Sequence, residues 1–104
     1  MNEPDALKAF AALSNESRLR LVKVLVEAGA GGLSAGEVAE RINAAPSRAS
    51  FHLTALSEAG LVRSERESRS IRYFVRFDVM GALVQYMLED CCGGNSLVRE
   101  CCGG

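Results

Sequence analysis

The 104-residue sequence predicts a single domain that is mainly α-helical and carries one small β-hairpin. Apolar residues recur at helical spacing over the first 60 residues and again after residue 78. Between these regions, β-branched and aromatic residues flank a polar turn, a pattern typical of two paired strands. The composition, 48% apolar and 24% charged residues, fits one domain with a modest core.

The first two helices are predicted from apolar spacing and from a capping residue. Leu7 and Phe10 lie on one face of a helix that covers about residues 5–13. Ser14 or Asn15 can cap the second helix, because each side chain can accept a hydrogen bond from a first-turn amide. We expect the second helix to bury one face made of Leu19, Val22 and Val26, widened by Leu21 and Leu25.

The next two helices are short and close together in the chain. Ser34 and Glu37 form a capping box at the start of the third helix. Pro46 suits the first turn of the fourth helix, and Gly60 suits its end. The inward face of the fourth helix is predicted to consist of Ala49, Leu53 and Leu56.

A β-hairpin and a fifth helix complete the predicted order of elements. The strand formers are Val62, Ile71, Tyr73, Val75 and Phe77, which flank a turn near residues 67–69. Asp78 is a plausible cap for the fifth helix. The apolar positions of that helix are Val79, Leu83, Tyr86 and Met87.

Positive charge is concentrated in the middle of the chain. The formal net charge of the protein is −1, but residues 41–76 contain seven arginines and three glutamates, a local balance of +4. Binding to nucleic acid therefore depends on this segregated charge and not on the total.

Two short helices joined by a tight turn and followed by a basic hairpin form the arrangement of a winged helix-turn-helix, whose second helix can enter a DNA major groove. Rotation by 100° per residue turns the fourth helix's polar face outward. The candidate DNA-binding residues are Ser47, Arg48, Ser50, Phe51 and Thr54 on this helix, and Arg66, Arg69 and Arg72 on the hairpin.

Two aromatic side chains of the fourth helix have competing interpretations. Phe51 can contact a thymine methyl group, or it can pack against the hairpin. His52 lies beside the core face, which favours a hydrogen-bonded structural histidine over a base-reading residue or a metal ligand.

The stretches "LSNESRLRLVKVL", "LSAGEVAERI", "SRASFHLTALSEAGLV" and "RSERESRSIRYFV" resemble the ArsR/SmtB family of metalloregulatory repressors. The resemblance implies a homodimeric winged-helix repressor that binds double-stranded operator DNA and leaves it when an inducer binds. It also implies a dimer interface built by the first and last helices. The apolar candidates for this interface, which could instead complete the core of a monomer, are Leu7, Phe10, Leu83, Tyr86 and Met87.

The inducer sites of two branches of that family have no counterpart here. The helix "LSAGEVAERI" contains no cysteine, and the last helix contains no histidine. The ending "LEDCC" instead resembles the arsenite-responsive branch whose cysteines follow the last helix. We therefore expect residues 1–90 to form the DNA-binding and dimerisation domain, and residues 91–104 to form an inducer-binding tail.

Every cysteine of the sequence lies in that tail, as Cys91, Cys92, Cys101 and Cys102. Thiolates are soft ligands that select thiophilic ions, and three of them suit the pyramidal coordination of As(III) or Sb(III). No organic cofactor is expected. Alternatives left open are a tetrathiolate site for zinc, cadmium or lead, a redox switch with disulfides between the pairs, a metal scavenger without DNA function, and a disordered tail with incidental cysteines.

An enzymatic role and a membrane location are not expected. Thiol-disulfide exchange would require a Cys-x-x-Cys motif at a helix start, and the sequence contains none. The first residues, "MNEPDALKAF", do not resemble a secretory signal, and no stretch is long and apolar enough to cross a bilayer. These features predict a cytoplasmic protein, in which thiols are kept reduced.

Overall fold

The computed structural model describes the backbone of residues 1–91 and the side chains of residues 1–88. Predictions that concern the tail cysteines therefore lie outside the described side chains. The five helices are α1 (Glu3–Leu13), α2 (Glu16–Ala28), α3 (Ala35–Arg41), α4 (Pro46–Glu58) and α5 (Phe77–Gln85). The three strands are β1 (Leu33–Ser34), β2 (Val62–Glu67) and β3 (Ser70–Val75). The predicted fold class is confirmed.

Side-chain caps fix the starts of the first three helices. Asn2 Oδ1 accepts a hydrogen bond from the amide of Asp5 at 2.9 Å, and Asn15 Oδ1 accepts one from Arg18 at 3.1 Å. The predicted capping box is present, because Ser34 Oγ accepts from the Glu37 amide at 3.2 Å and Glu37 Oε1 accepts from the Ser34 amide at 3.0 Å. The caps predicted for α2 and α3 are therefore confirmed, whereas α1 begins at Glu3, two residues before the predicted start, with Asn2 as a cap that was not predicted.

The buried face of α2 differs from the prediction. Leu21, Val22 and Leu25 are buried, whereas Leu19 is 59% exposed and Val26 is 43% exposed. Six leucine and valine residues crowd α2, so its periodicity fits more than one rotation of the helix. Packing against α1, α3, α4 and β3 selects the stripe through Leu21 and Leu25, and Leu19 then lies about 160° away from Leu21.

The helix-turn-helix consists of α3, the turn 42–45 and α4. Asn43 adopts a left-handed conformation with φ 55°, and the amide of Ala44 donates to the carbonyl of Ala39 at 2.9 Å. These two features reverse the chain within four residues. The predicted inward residues of α4, namely Ala49, Leu53 and Leu56, are fully buried.

The hairpin of β2 and β3 is antiparallel, with a register that runs from Val62 opposite Val75 to Glu67 opposite Ser70. The loop therefore contains only residues 68 and 69. The short strand β1 adds a third strand beside β3, pairing Leu33 with Tyr73, and the sheet order is β1-β3-β2. Strand β1 was not predicted, because two residues carry no alternation pattern.

The junction between β3 and α5 also differs from the prediction. Phe77 is the first residue of α5 and not the end of a strand, and the N-cap is Arg76 instead of Asp78. The chain leaves the sheet at Arg76, whose amide still donates to the Leu61 carbonyl at 2.9 Å. Asp78 lies in the first turn of α5, where its negative charge is favourable, and accepts a hydrogen bond from Arg76 Nη2 at 3.1 Å.

Helix α5 packs on the core through Leu83 and continues into a π-helical turn over Tyr86–Cys91. Among the residues that the structure describes, no helix combines the length and the apolar character that a bilayer span requires.

A close approach at Gly32 provides a test of the fold. Gly32 has φ 62° and ψ −175°, a region essentially restricted to glycine, and an added Cβ would lie 2.6 Å from the Phe74 ring. We expect Gly32→Ala to lower the free energy of unfolding by about 2 kcal/mol or more. Gly31→Ala is the matched control, since a Cβ there meets nothing within 4 Å. Urea denaturation of both variants measures the difference, and equal stabilities would contradict the expectation.

Candidate nucleic-acid interface

The outward face of α4 is fully available to a partner. The burial of Ala49, Leu53 and Leu56 turns the opposite face to solvent. All five candidate residues of this helix are exposed, namely Ser47, Arg48, Ser50, Phe51 and Thr54. Phe51 is 64% exposed, which is unusual for a large aromatic residue on a small domain.

The N-terminal end of α4 attracts negative charge. Its N-cap residue, Ala45, provides no side-chain acceptor, and the first turn contains no acidic residue. The positive end of the helix dipole is therefore uncompensated beside the Arg48 guanidinium. Ser47, Arg48, Phe51 and His52 line a shallow recess of about 400 Å³ at this end. This geometry suits a phosphate or the edge of a base.

A contact from α2 supports the aromatic part of this surface. Arg18 Nε donates a hydrogen bond to His52 Nδ1 at 3.2 Å, and the guanidinium carbon lies 5.8 Å from the centroid of the Phe51 ring. The rings of Phe51 and His52 meet edge to face with centroids 5.7 Å apart. Phe51 therefore contacts Arg18 and His52.

His52 is buried and neutral, as predicted for a structural histidine. Burial lowers the pKa of His52 below its ordinary value, and the positive charges of Arg18 and Arg48 lower it further. The unprotonated Nδ1 can therefore accept the hydrogen bond from Arg18. The sequence analysis did not identify Arg18 as the partner, because the two residues are 34 positions apart.

Two exposed arginines, Arg66 and Arg69, lie at the tip of the hairpin. Within residues 1–88, no carboxylate oxygen lies within 4.0 Å of the side chains of Arg66 or Arg69. Arg63, near the base of the hairpin, pairs with Glu65 at 2.8 Å and stacks over the Phe74 ring at 4.3 Å. The positive charge available to a phosphate backbone is therefore at the tip.

Arg72 differs from the other candidate arginines of the hairpin. Its Nε and Nη2 donate to the carbonyl oxygens of Gly31 and Gly32, each at 2.9 Å, and its Nη1 lies 3.6 Å from Glu37 Oε1. All three nitrogens therefore have partners within the chain. The DNA contact predicted for Arg72 stays a prediction, but the structure gives this residue an intramolecular role.

The candidate dimerisation residues occupy different environments. Leu7 is 60% exposed and Met87 is 41% exposed, whereas Phe10 and Tyr86 are half-buried. Leu83 is buried in the core of the chain itself. Two further apolar side chains of α5, Phe77 and Val84, are exposed, and neither was among the predicted dimerisation residues.

A metal centre cannot be built from the described side chains. Within residues 1–88, no group of three or more His, Cys, Asp and Glu side chains lies close enough together to hold an ion. The predicted ligands Cys92, Cys101 and Cys102 lie outside the described residues, and for Cys91 only the backbone, at the end of the π-helical turn, is described.

Comparison with known proteins identifies relatives along most of the chain. A family model described as "Helix-turn-helix domain" matches residues 13–65. The uncharacterized HTH-type transcriptional regulator YceK of Bacillus subtilis is 39% identical over 80 residues, which cover 77% of this chain and 79% of YceK. A probable mercury resistance operon repressor of Streptomyces lividans is 30% identical over 94 residues, covering 89% of this chain and 71% of that protein.

Among solved structures, an ArsR-like transcriptional regulator from Rhodococcus sp. RHA1 has the same fold. The TM-score is 0.77 with 24% sequence identity, and the match covers 95% of this chain and 93% of the other. At this identity the likeness supports the architecture of helices and hairpin described above.

The buried His52 predicts a pH dependence of stability. The unfolded chain, with a histidine pKa of about 6.5, binds more protons than the folded chain with its lowered pKa, so stability rises with pH in this range. We expect the free energy of unfolding to fall as the pH is lowered from about 7.5 to about 5.5. In His52→Asn, which keeps an acceptor for Arg18 but does not titrate, this dependence should flatten.

Urea denaturation at several pH values measures this effect. Glu37 and Asp78 also have lowered pKa values, from hydrogen bonds with Ser34 and Arg76 respectively, but their contributions are lost only below the ordinary values of 4.5 and 3.8. They therefore do not interfere above pH 5.5. Identical slopes for wild type and His52→Asn would contradict the assignment.

Proposed function

Because this chain belongs to the helix-turn-helix family of transcriptional regulators, we propose that it is a homodimeric repressor that binds operator DNA and releases it on binding trivalent arsenic. The observation that supports DNA binding most directly is that one domain presents both an exposed face of α4 and a hairpin tip whose two arginines have no ion-pair partner within residues 1–88. Both surfaces belong to one packed domain, because α4 contacts β2 and Arg72 bonds the hairpin to the loop before β1.

In the proposed complex, α4 enters the major groove. Arg48 can bond guanine through two nitrogens or hold a phosphate, and the exposed ring of Phe51 can meet a thymine methyl group. Arg66 and Arg69 bring charge to neighbouring phosphates, which fixes position without reading sequence. The net charge of −1 means that this affinity comes from the local surface alone.

Dimerisation is proposed through α1 and α5. Exposed apolar side chains would lose contact with water in a dimer, including Leu7 on α1, Val84 on α5 and Met87 in the π-helical turn that continues α5. A twofold dimer presents two copies of α4 to half-sites about one helical turn of DNA apart, so the operator should be close to palindromic.

The inducer is proposed to bind the tail cysteines. Thiolates without histidine partners favour soft ions, and As(III) or Sb(III) can use three of the four sulfurs. The relative from Streptomyces lividans supports the thiophilic class, since mercury is also thiophilic. Cys91 ends the turn that continues α5, so a ligand there would act on the proposed dimerisation helix and, through it, on the spacing of the two α4 helices.

Cadmium, zinc, lead and mercury are the competing metal inducers, and oxidation of the thiols is the competing redox signal. Four sulfurs also satisfy a tetrahedral divalent ion. A scavenger of thiophilic ions without DNA function is the competing protein class. It would bind metal normally but show no salt-dependent affinity for a selected duplex.

Substitution of three exposed arginines tests the DNA interface. We expect Arg48→Gln, Arg66→Gln and Arg69→Gln each to weaken binding to a duplex selected from a random library. Where a phosphate contact is removed, the plot of the logarithm of the DNA-binding constant against the logarithm of the salt concentration should become less steep, by about 0.9 in its negative slope. Lys8→Gln is the control with the same charge change. Lys8 lines a recess together with Glu58, the last residue of α4, and so lies at the opposite end of that helix from Arg48. Fluorescence anisotropy at several salt concentrations measures both quantities, and equal losses for Lys8→Gln would contradict this interface.

Titration of the protein–DNA complex tests the inducer. We expect arsenite to release the DNA from wild type and to have no effect when all four cysteines are replaced by serine, with DNA affinity in the absence of arsenite unchanged. Single Cys→Ser variants then identify which sulfurs are needed. If cadmium, mercury or peroxide releases the DNA and arsenite does not, the arsenic proposal is wrong and the effective agent is the inducer. If deletion of the protein silences a reporter gene under the operator, the protein is an activator and not a repressor.

A further inference from the structure

Arg72 lies on the hairpin but bonds to a different part of the chain. Its guanidinium donates to the carbonyls of Gly31 and Gly32, in the loop before β1, through two nitrogens at 2.9 Å each. The side chain is 31% exposed, less than those of the three other arginines that form ion pairs with carboxylates. A planar fork that meets two backbone acceptors fixes orientation as well as distance.

The loop that supplies these carbonyls is itself held in place. Gly32 adopts a conformation that other residues avoid, and the Phe74 ring occupies the space where a Cβ would lie. The adjoining strand β1 contributes only two residue pairs to the sheet. The Arg72 fork therefore supplements a short ladder at the point where the hairpin joins the helices.

A third contact connects Arg72 to the helix-turn-helix. Glu37 Oε1, 3.6 Å from Arg72 Nη1, also accepts the amide of Ser34 in the capping box of α3. These hydrogen bonds with Ser34, together with the charges of Arg72 and Arg41, lower the pKa of Glu37. Glu37 therefore remains a carboxylate at neutral pH, and Arg72 bridges β3 to the start of α3.

We propose that Arg72 is a positioning residue for DNA binding, whose fork fixes the angle of the hairpin so that Arg66 and Arg69 reach phosphates while α4 occupies the groove. The inference rests on the proposed function, since it assumes that α4 and the hairpin bind one duplex. It separates the three candidate arginines of the hairpin into two that contact DNA and one that orients them.

Lysine substitution distinguishes positioning from direct contact. Lys keeps the charge but lacks the fork, so Arg72→Lys and Arg72→Gln should weaken DNA binding to a similar degree, about tenfold. Arg69→Lys is the matched control, because a phosphate contact accepts the point charge of lysine, and it should change affinity by less than about threefold. If Arg72→Lys binds like wild type while Arg72→Gln does not, Arg72 acts through its charge and the inference is wrong.

A double-mutant cycle tests the route of the effect. Arg69→Gln should weaken binding in wild type, but in the Arg72→Gln background it should add less than about twofold, because a misplaced hairpin no longer brings residue 69 to the DNA. Glu37→Gln preserves the capping box and removes only the third contact, so its effect should be smaller than that of Arg72→Gln. Independent, multiplicative effects of Arg69→Gln and Arg72→Gln would overturn the inference.

Hydrogen exchange of the free protein provides a readout without DNA. Arg72→Lys and Arg72→Gln should speed exchange of amides in β1 and the paired part of β3, while the amides of α4 keep their protection. Unchanged exchange in β1 together with weakened DNA binding would also overturn the inference. If the wild-type protein selects no DNA duplex, the proposed function is wrong. If the wild-type protein binds DNA but the effects of Arg69→Gln and Arg72→Gln multiply, only the role of Arg72 is wrong.

Discussion

The burial of one face of α4 is the constraint on which the rest of the structure depends. Ala49, Leu53 and Leu56 are fully excluded from water, and their spacing leaves no freedom in the rotation of the helix. Every residue on the opposite face is consequently presented to solvent, including the large aromatic side chain of Phe51. The domain thus uses the hydrophobic effect to determine which side chains face a partner.

Residues that do not belong to the exposed surface orient it. Arg18 on α2 supports His52 and Phe51 from one side, and the carbonyls of Gly31 and Gly32 hold Arg72 on the other. Both supports come from the segment that runs from α2 to the loop before β1, at Arg18 and at Gly31 and Gly32. The positions of these surfaces are therefore determined in the first forty residues of the chain, although the surfaces themselves lie further along it.

Features that depend on residues close together in the chain were predicted correctly from the sequence, and features that depend on distant residues were not. Caps at Asn15 and Ser34 and the inward face of α4 depend on neighbours within one or two turns, and these predictions are confirmed. The rotation of α2 depends on four packed elements, so Leu19 and Val26 were wrongly predicted to be buried. The exposed face of α4 was predictable because the helical repeat that defines the core face also defines its opposite. The partners of His52 and Arg72 were not predictable, because they lie 34 and about 40 positions away in the chain.

The arginines of the hairpin show why composition alone does not assign roles. Arg66, Arg69 and Arg72 occur at regular intervals of three residues, and by sequence each is an equally good phosphate ligand. In the structure, the first two end in solvent, while the third meets two carbonyls and a carboxylate. A charge that already satisfies backbone acceptors gains little by moving to a phosphate, because it would leave those acceptors without a partner. The position of each arginine relative to the loop at Gly32, and not its residue type, therefore decides whether its guanidinium is available to DNA.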